Sequence, residues 1–341
     1  QRNFYLKVKE RGEEVLKELK QEEVALVIVS RPYNGCDSGI NLDIPKKLRE
    51  LGVLAIPMDF LPLNSVDISR EHPNMYWKYG QRILAASEII RRDPRLYALY
   101  ITNFGCGPDS FITKFFREKM GEKSHLIIEV DEHSADVGAI TRCEAFLDSL
   151  GKRRKTSKPS VHMEKPPYVV SAAEKRKIFI PYMSDHAYVF QTAFRERGIE
   201  AEVLPESDEE TLEWGRKLTT GKECYPCIIT TGDFLKKLAE DGFDPEGSAF
   251  FMLAADGPCR FGQYMKLQRI ILDQLGYGSV PFVSLSSKNS YDPGGWGLGF
   301  AKRVWQGVVA VDLLEKMRRE TRPYEVNTGE TDQVYERYPV S

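Results

Sequence analysis

The sequence predicts an α/β protein made of two Rossmann-like or flavodoxin-like parallel-sheet domains. Apolar runs that read as buried strands alternate with amphipathic helical stretches, and the second half repeats the order of the first. Cysteines stand where several of these runs stop, at the edge where open α/β sheets bind ligands. With 341 residues, 42% hydrophobic and 29% charged, the chain is long enough for two cores.

Residues 1–21 read as a charged amphipathic helix leaning on a first domain that spans 22–150. The run VALVIVSR, 24–31, is the first strand, and the loop 32–39 at its carboxyl end carries Cys36. A helix over 40–51 stops at Gly52, a suitable C-cap, before a short strand at 53–57. A helix over 75–90 packs on the sheet, and a strand at 96–103 delivers Cys106 to the start of the next helix. On that helix Phe111, Phe115, Phe116 and Met120 share one face and are expected in the core. A strand at 125–130 and a helix over 136–150, which carries Cys143, complete the domain.

The stretch 151–176 is basic, contains prolines and lacks periodicity, so it reads as a linker. The second domain, 177–319, opens on the strand KIFIPYM, where Pro181 and Tyr182 echo Pro32 and Tyr33. FRERGIEAEVLP, 194–205, parallels LRELGVLAIP, 48–57, and Ser287 follows Cys259 at the spacing at which Ser134 follows Cys106. ECYPC, with Cys224 and Cys227, is expected to open a helix after Gly221, and the apolar run from Ala249 delivers Cys259 to another. A helix over 298–319 closes the domain, and the polar tail 320–341 is expected to be extended or partly disordered. Such internal similarity suggests related domains facing each other across a pseudo-twofold axis.

A formal net charge of -2 gives no reason to expect a nucleic-acid partner. No apolar run approaches the roughly 20 residues of a membrane span, and no signal-peptide pattern is present, so a cytoplasmic location is expected. Because it begins at Gln1 rather than methionine, the chain reads as a candidate excerpt of a longer polypeptide.

Six cysteines in a reducing compartment point to metal or redox chemistry more than to disulfides, although a free cysteine also serves as a small packing residue, Cys143 above all. A thiol at a helix N-terminus ionises more readily and binds soft metal better, the placement expected of Cys106, Cys224 and Cys259. A lone CxxC is shared by zinc sites and thioredoxin-like proteins; zinc wants a second nearby pair, which the sequence lacks. A cubane takes four thiolates. Three from each half, Cys36, Cys106 and Cys143 against Cys224, Cys227 and Cys259, would suit two cubanes, each keeping an iron free of cysteine. TTGKE lacks the upstream glycine and following Ser or Thr of a phosphate loop. His186 is a weak candidate proton donor, His133, Asp109 and Glu223 are similar cases, and no catalytic acid is assigned. The glycines of YDPGGWGLGF, 291–300, read as a turn into the last helix.

RPYNGCDSG, NFGCGPDSF, ECYPC and DGPCRFGQ resemble the 2-hydroxyacyl-CoA dehydratase superfamily, most of all its activase-associated branch with the double-cubane cluster proteins. The resemblance spans roughly residues 24–316. It implies two Rossmann-like domains around an iron–sulfur cluster held by cysteine, a double cubane of eight irons and nine sulfurs in that branch, and an ATP-hydrolysing iron–sulfur activase, separate or fused, as electron donor. The expected function is therefore reduction of a small molecule at low potential. A 2-hydroxyacyl-CoA dehydratase subunit with one 4Fe-4S cubane is the second reading, and a non-enzymatic, metal-stabilised interaction module the third. A homodimer is compatible with each. Only Cys106 and Cys259 match as a pair between the halves: Cys143 aligns with Val304, and the CxxC has no cysteine counterpart near 85–87.

Overall fold

The computed structural model describes residues 2–105, 107–133, 136–153, 175–285 and 297–337. Cys106, Ser134, Ser287, most of the expected linker and residues 291–296 of the glycine-rich turn lie outside them. The chain divides into two compact units, 1–165 and 166–341, the boundary falling inside the stretch read as a linker.

In the first unit β1 (Ala25–Ser30) is flanked by β2 (Leu54–Pro57) and β3 (Leu96–Asn103), and β4 (His125–Val130) pairs outside β3. All pairings are parallel, in the order β2-β1-β3-β4. Alternation sends Leu26, Ile28, Leu99, Ile101, Ile128 and Val130 to one face, against Ile44 and Leu48 of α3 (Ile44–Glu50) and Phe146 and Leu150 of α6 (Asp136–Arg153). The other face meets α4 (Lys78–Arg92) and α5 (Asp109–Met120), where Tyr100 packs edge-on against Phe116 at 5.0 Å. Phe111, Phe115, Phe116 and Met120 are buried as their spacing predicts. α1 (Arg2–Glu18) leans on the turn at 58–60, where Gly12 lets the helix backbone approach Phe60. The loop expected after β1 is instead a short helix, α2 (Pro32–Cys36), because Pro32 occupies the first helical position, where its missing N–H costs nothing.

The second unit repeats the strand order, β6-β5-β7-β8, again all parallel, with β5 (Lys177–Ile180), β6 (Ala201–Val203), β7 (Ser248–Phe251) and β8 (Phe282–Val283). One face packs Ile178, Ile180, Ala249 and Phe251 against Phe190 and Phe194 of α7 (His186–Arg195) and Phe300 of α11 (Leu298–Thr321). The other stacks Phe250 on Phe234 of α9 (Tyr225–Leu238), ring centroids 4.5 Å apart. α10 (Tyr264–Gln274) connects β7 to β8. The tail expected to be extended or partly disordered forms α12 (Glu330–Arg337), held by the Arg318–Asp332 ion pair at 2.7 Å and by Tyr335 donating to Asp185 at 2.6 Å.

The unpredicted α8 (Glu209–Leu218) starts at a capping box in which Asp208 accepts from the Thr211 amide at 2.8 Å. It lies hard against α9: a Cβ on Gly215 would stand 2.1 Å from the Ile228 carbonyl oxygen, and one on Gly232 would stand 2.0 Å from that of Thr211. Both obstacles are backbone, so neither can swing aside. Gly232→Ala is expected to lower unfolding stability by about 1–3 kcal/mol, read as a lower denaturant midpoint at unchanged slope.

Candidate functional site

The second unit brings three of its cysteines to the ends of two helices. Cys224 is the N-cap of α9, with φ -60° and ψ 139°, and Pro226 helps the first turn close as the Cys227 amide donates to the Cys224 carbonyl at 2.8 Å. Beyond β7 the chain turns at Gly257, φ 149°, and Cys259 becomes the N-cap of a 3-10 turn, Arg260–Gln263, that runs into α10. Neither N-cap thiol caps its own helix, which leaves both sulfurs available to a ligand.

Hydrogen bonds lock the two helix starts together. Arg260 donates to the Lys222 carbonyl at 3.3 Å, and buried Gln268 of α10 donates to the Thr230 hydroxyl of α9 at 3.0 Å. That hydroxyl in turn donates to the Pro226 carbonyl at 2.8 Å, inside the CxxC turn. Glu223 staples the loop: its buried carboxylate accepts from the Thr220 amide at 3.0 Å and the Lys222 amide at 3.1 Å, closing the turn at Gly221.

Tyr264 is buried at the start of α10. Burial first, then Cys224 and after it Cys227 and Cys259, raise its pKa far above the ordinary phenol range. Cys227 is fully enclosed, and burial, followed by Glu223 and Cys224, pushes its thiol well up; the Thr231 hydroxyl and Arg260 act in the opposite direction. Soft metal entering here would displace those protons.

In the first unit Cys36 ends α2 and is exposed. Cys106 lies outside the described residues, but its approaches are held left-handed at Phe104, Gly105 and Gly107, φ 57°, 60° and 59°. Beneath them Asp109, 0% exposed, accepts from Thr102 at 2.7 Å, Tyr100 at 3.1 Å and Arg31 at 3.2 Å. Burial nonetheless raises the Asp109 pKa, with Thr102, Arg31 and Tyr100 opposing. Asn34 of α2 is buried with neither amide atom hydrogen-bonded. Cys143, 2% exposed, packs in the apolar layer between α6 and the sheet, and burial pushes its thiol up to about 11. Those surroundings suit a packing residue.

His186 opens α7, its Nδ1 3.0 Å from the Ser184 hydroxyl and its Nε2 3.0 Å from Asp312. It lines a cleft of about 450 Å³ with Glu315, Lys316 and Arg319 of α11. His133 is exposed and pairs with Glu132 at 3.6 Å.

Sequence reasoning also passed over Asp233, whose place within an apolar helix face was its signal. The residue is buried in α9, takes one hydrogen bond from Ser207 at 2.9 Å, leaves Oδ2 unpaired, and has its pKa raised by burial to about 7. With an ordinary value near 3.8 in the unfolded chain, the native state holds a proton that the unfolded state has released. This contribution is therefore complete below the unfolded pKa and lost as pH rises through about 7. Asp233→Asn is expected to remove on the order of 2–4 kcal/mol of the stability difference between pH 5 and pH 8.5, measured by denaturant melts.

Among the described residues no group of three or more His, Cys, Asp or Glu side chains is gathered to chelate a single ion. A polynuclear cluster asks for something else, thiolates spread over several irons, and the cysteines at these two helix starts, with Cys227 dry, are the residues whose chemistry suits it. No helix among the described residues is long and apolar enough to cross a membrane.

Fold and site together define an α/β protein of two parallel four-stranded sheets with a thiol-lined edge in the second unit. Residues 1–61 match a family model described as "CoA enzyme activase uncharacterised domain (DUF2229)". The match covers α1 to β2, and with them Arg31, Asn34 and Cys36; it agrees coarsely with the dehydratase and activase resemblance of the motifs. No curated protein and no solved structure matches the chain.

Proposed function

We propose that the chain is the iron–sulfur component of an activase-driven reductive enzyme acting in CoA-ester chemistry. The carrying observation is that Cys224 and Cys227 at the start of α9, and Cys259 at the start of the turn into α10, stand on segments tied by the Arg260–Lys222 and Gln268–Thr230 hydrogen bonds. These three would hold a cluster, which when bound supplies a low-potential electron. The chain's own part is to hold and to tune. Arg260 places positive charge near Cys227, which stabilises a more negative centre. Burial of Cys227 keeps water from that ligand. The ATP-hydrolysing activase is the proposed electron donor, on the strength of the motif resemblance and the description of the family model.

The core environment of Cys143 bears on the cluster type. With that thiol packed among Ile128, Phe146 and Leu150, the tally of three ligands per half loses a member, which favours a single 4Fe-4S cubane over the double cubane. Anaerobic reconstitution followed by iron, sulfide and EPR analysis tests the proposal. About four irons per chain supports one cubane and about eight restores the double cubane; colourless, zinc-containing protein overturns the reductive reading.

A further inference from the structure

The longest helix of the second unit is finished on one side and unfinished on the other. The inner side of α11 carries the buried Phe300 and Val311, and Gly307 lets the helix approach α7 so closely that a Cβ would stand 2.5 Å from Val189. The outer side shows Trp305 at 68% exposure, Val309 at 40%, Leu313 at 56% and Met317 at 62%. Four-residue spacing lines these up as a single stripe about three turns long, unlike the scattered single exposures ordinary on a monomer surface. It continues at both ends into the exposed Leu298 and Tyr324.

The charges around the stripe identify what covers it. Helical periodicity puts Lys302 and Glu320 on its centre line, one beyond each end of the apolar stretch. A second α11 laid antiparallel about a twofold at the level of Val311 sets Lys302 opposite Glu320 twice, Trp305 opposite Met317 twice, and Val309 opposite Leu313 twice. Arg303 and Arg319, which this register makes flanking neighbours, pair with Glu196 at 3.1 Å and with Glu315, while Glu320 has Lys316 at 3.7 Å along its own helix, an exposed pair that a second partner can share. No parallel register gives this pairing, because it would set Lys302 against Lys302 and Glu320 against Glu320. We propose that the outer face of α11 is the seam of a homodimer, occupied by α11 of a second copy of this chain in antiparallel orientation. The inference stands apart from any bound cluster.

Sedimentation equilibrium and light scattering of the 341-residue chain test it. The expected mass is about twice 39.0 kDa, falling to the monomer in Leu313→Lys with an unchanged circular dichroism spectrum. Lys302→Glu and Glu320→Lys, each alone, put like charges across the seam and are expected to weaken dimerisation about tenfold; the double swap returns it to near the parent value. A monomer up to about 100 µM, where even a weak association of this size would register, overturns the proposal. So does a dimer indifferent to Leu313→Lys, or a double swap no better than its parents.

Discussion

Alanine at Cys259 is expected to strip the chain of most of the iron it retains after anaerobic reconstitution, while circular dichroism and melting stay at the parent values. The reasoning separates ligand from packing. Cys259 is exposed and caps no helix, so truncation leaves no cavity and no orphaned partner. Whatever it does to iron is done through the sulfur. Cys224→Ala is expected to behave alike, whereas Cys143→Ala and His186→Ala keep their iron; Cys143→Ala instead loses stability, since it opens space in a packed layer. Iron and acid-labile sulfide per chain, measured on the four variants side by side, give the answer. Full retention of iron in Cys259→Ala removes the site from the second unit.

The second large effect belongs to the first unit. Asp109→Ala is expected to cost about 3–5 kcal/mol of unfolding free energy, because it leaves the Arg31 guanidinium and two hydroxyls without their shared acceptor. Asp109 is fully buried and Arg31 only 17% exposed, so water cannot take over. Asp109→Asn, which keeps one acceptor oxygen, is expected to lose less. Replacing both charges, Arg31→Met with Asp109→Leu, is expected to recover most of the loss, since the penalty lies in the stranded partner. Urea melts of the three variants decide it; a loss below about 1 kcal/mol for Asp109→Ala puts the network outside the determinants of this fold.

Continuous apolar runs made the sheet strands readable. β3 falls at the residues its hydrophobicity marks, and β1 within one or two, because strands buried on both faces admit little else; β4, at the sheet edge, also falls at its apolar run. α8 escaped because EETLEWGRKL is mostly polar; its signal is the capping pair Asp208 and Thr211, and its partner is the bare backbone of Gly232. Among the cysteines, helix-start positions were legible for Cys224 and Cys259 from the residues around them. The core position of Cys143 was not, since a thiol on an amphipathic helix looks the same in sequence whether it faces a metal or a phenylalanine. Tyr264 was legible only as one more aromatic at a helix start; that α9 and α10 are tied there through Gln268 and Thr230 is a property of the fold.

Among the described residues, each half of the chain hides one sulfhydryl from reagents. Cys143 in the first and Cys227 in the second are shut away and held protonated, so in metal-free protein alkylating agents should reach them only when that half opens. The pair thus forms a built-in clock with two hands, and peptide mapping of maleimide uptake against time would tell whether the halves unfold in concert or one before the other.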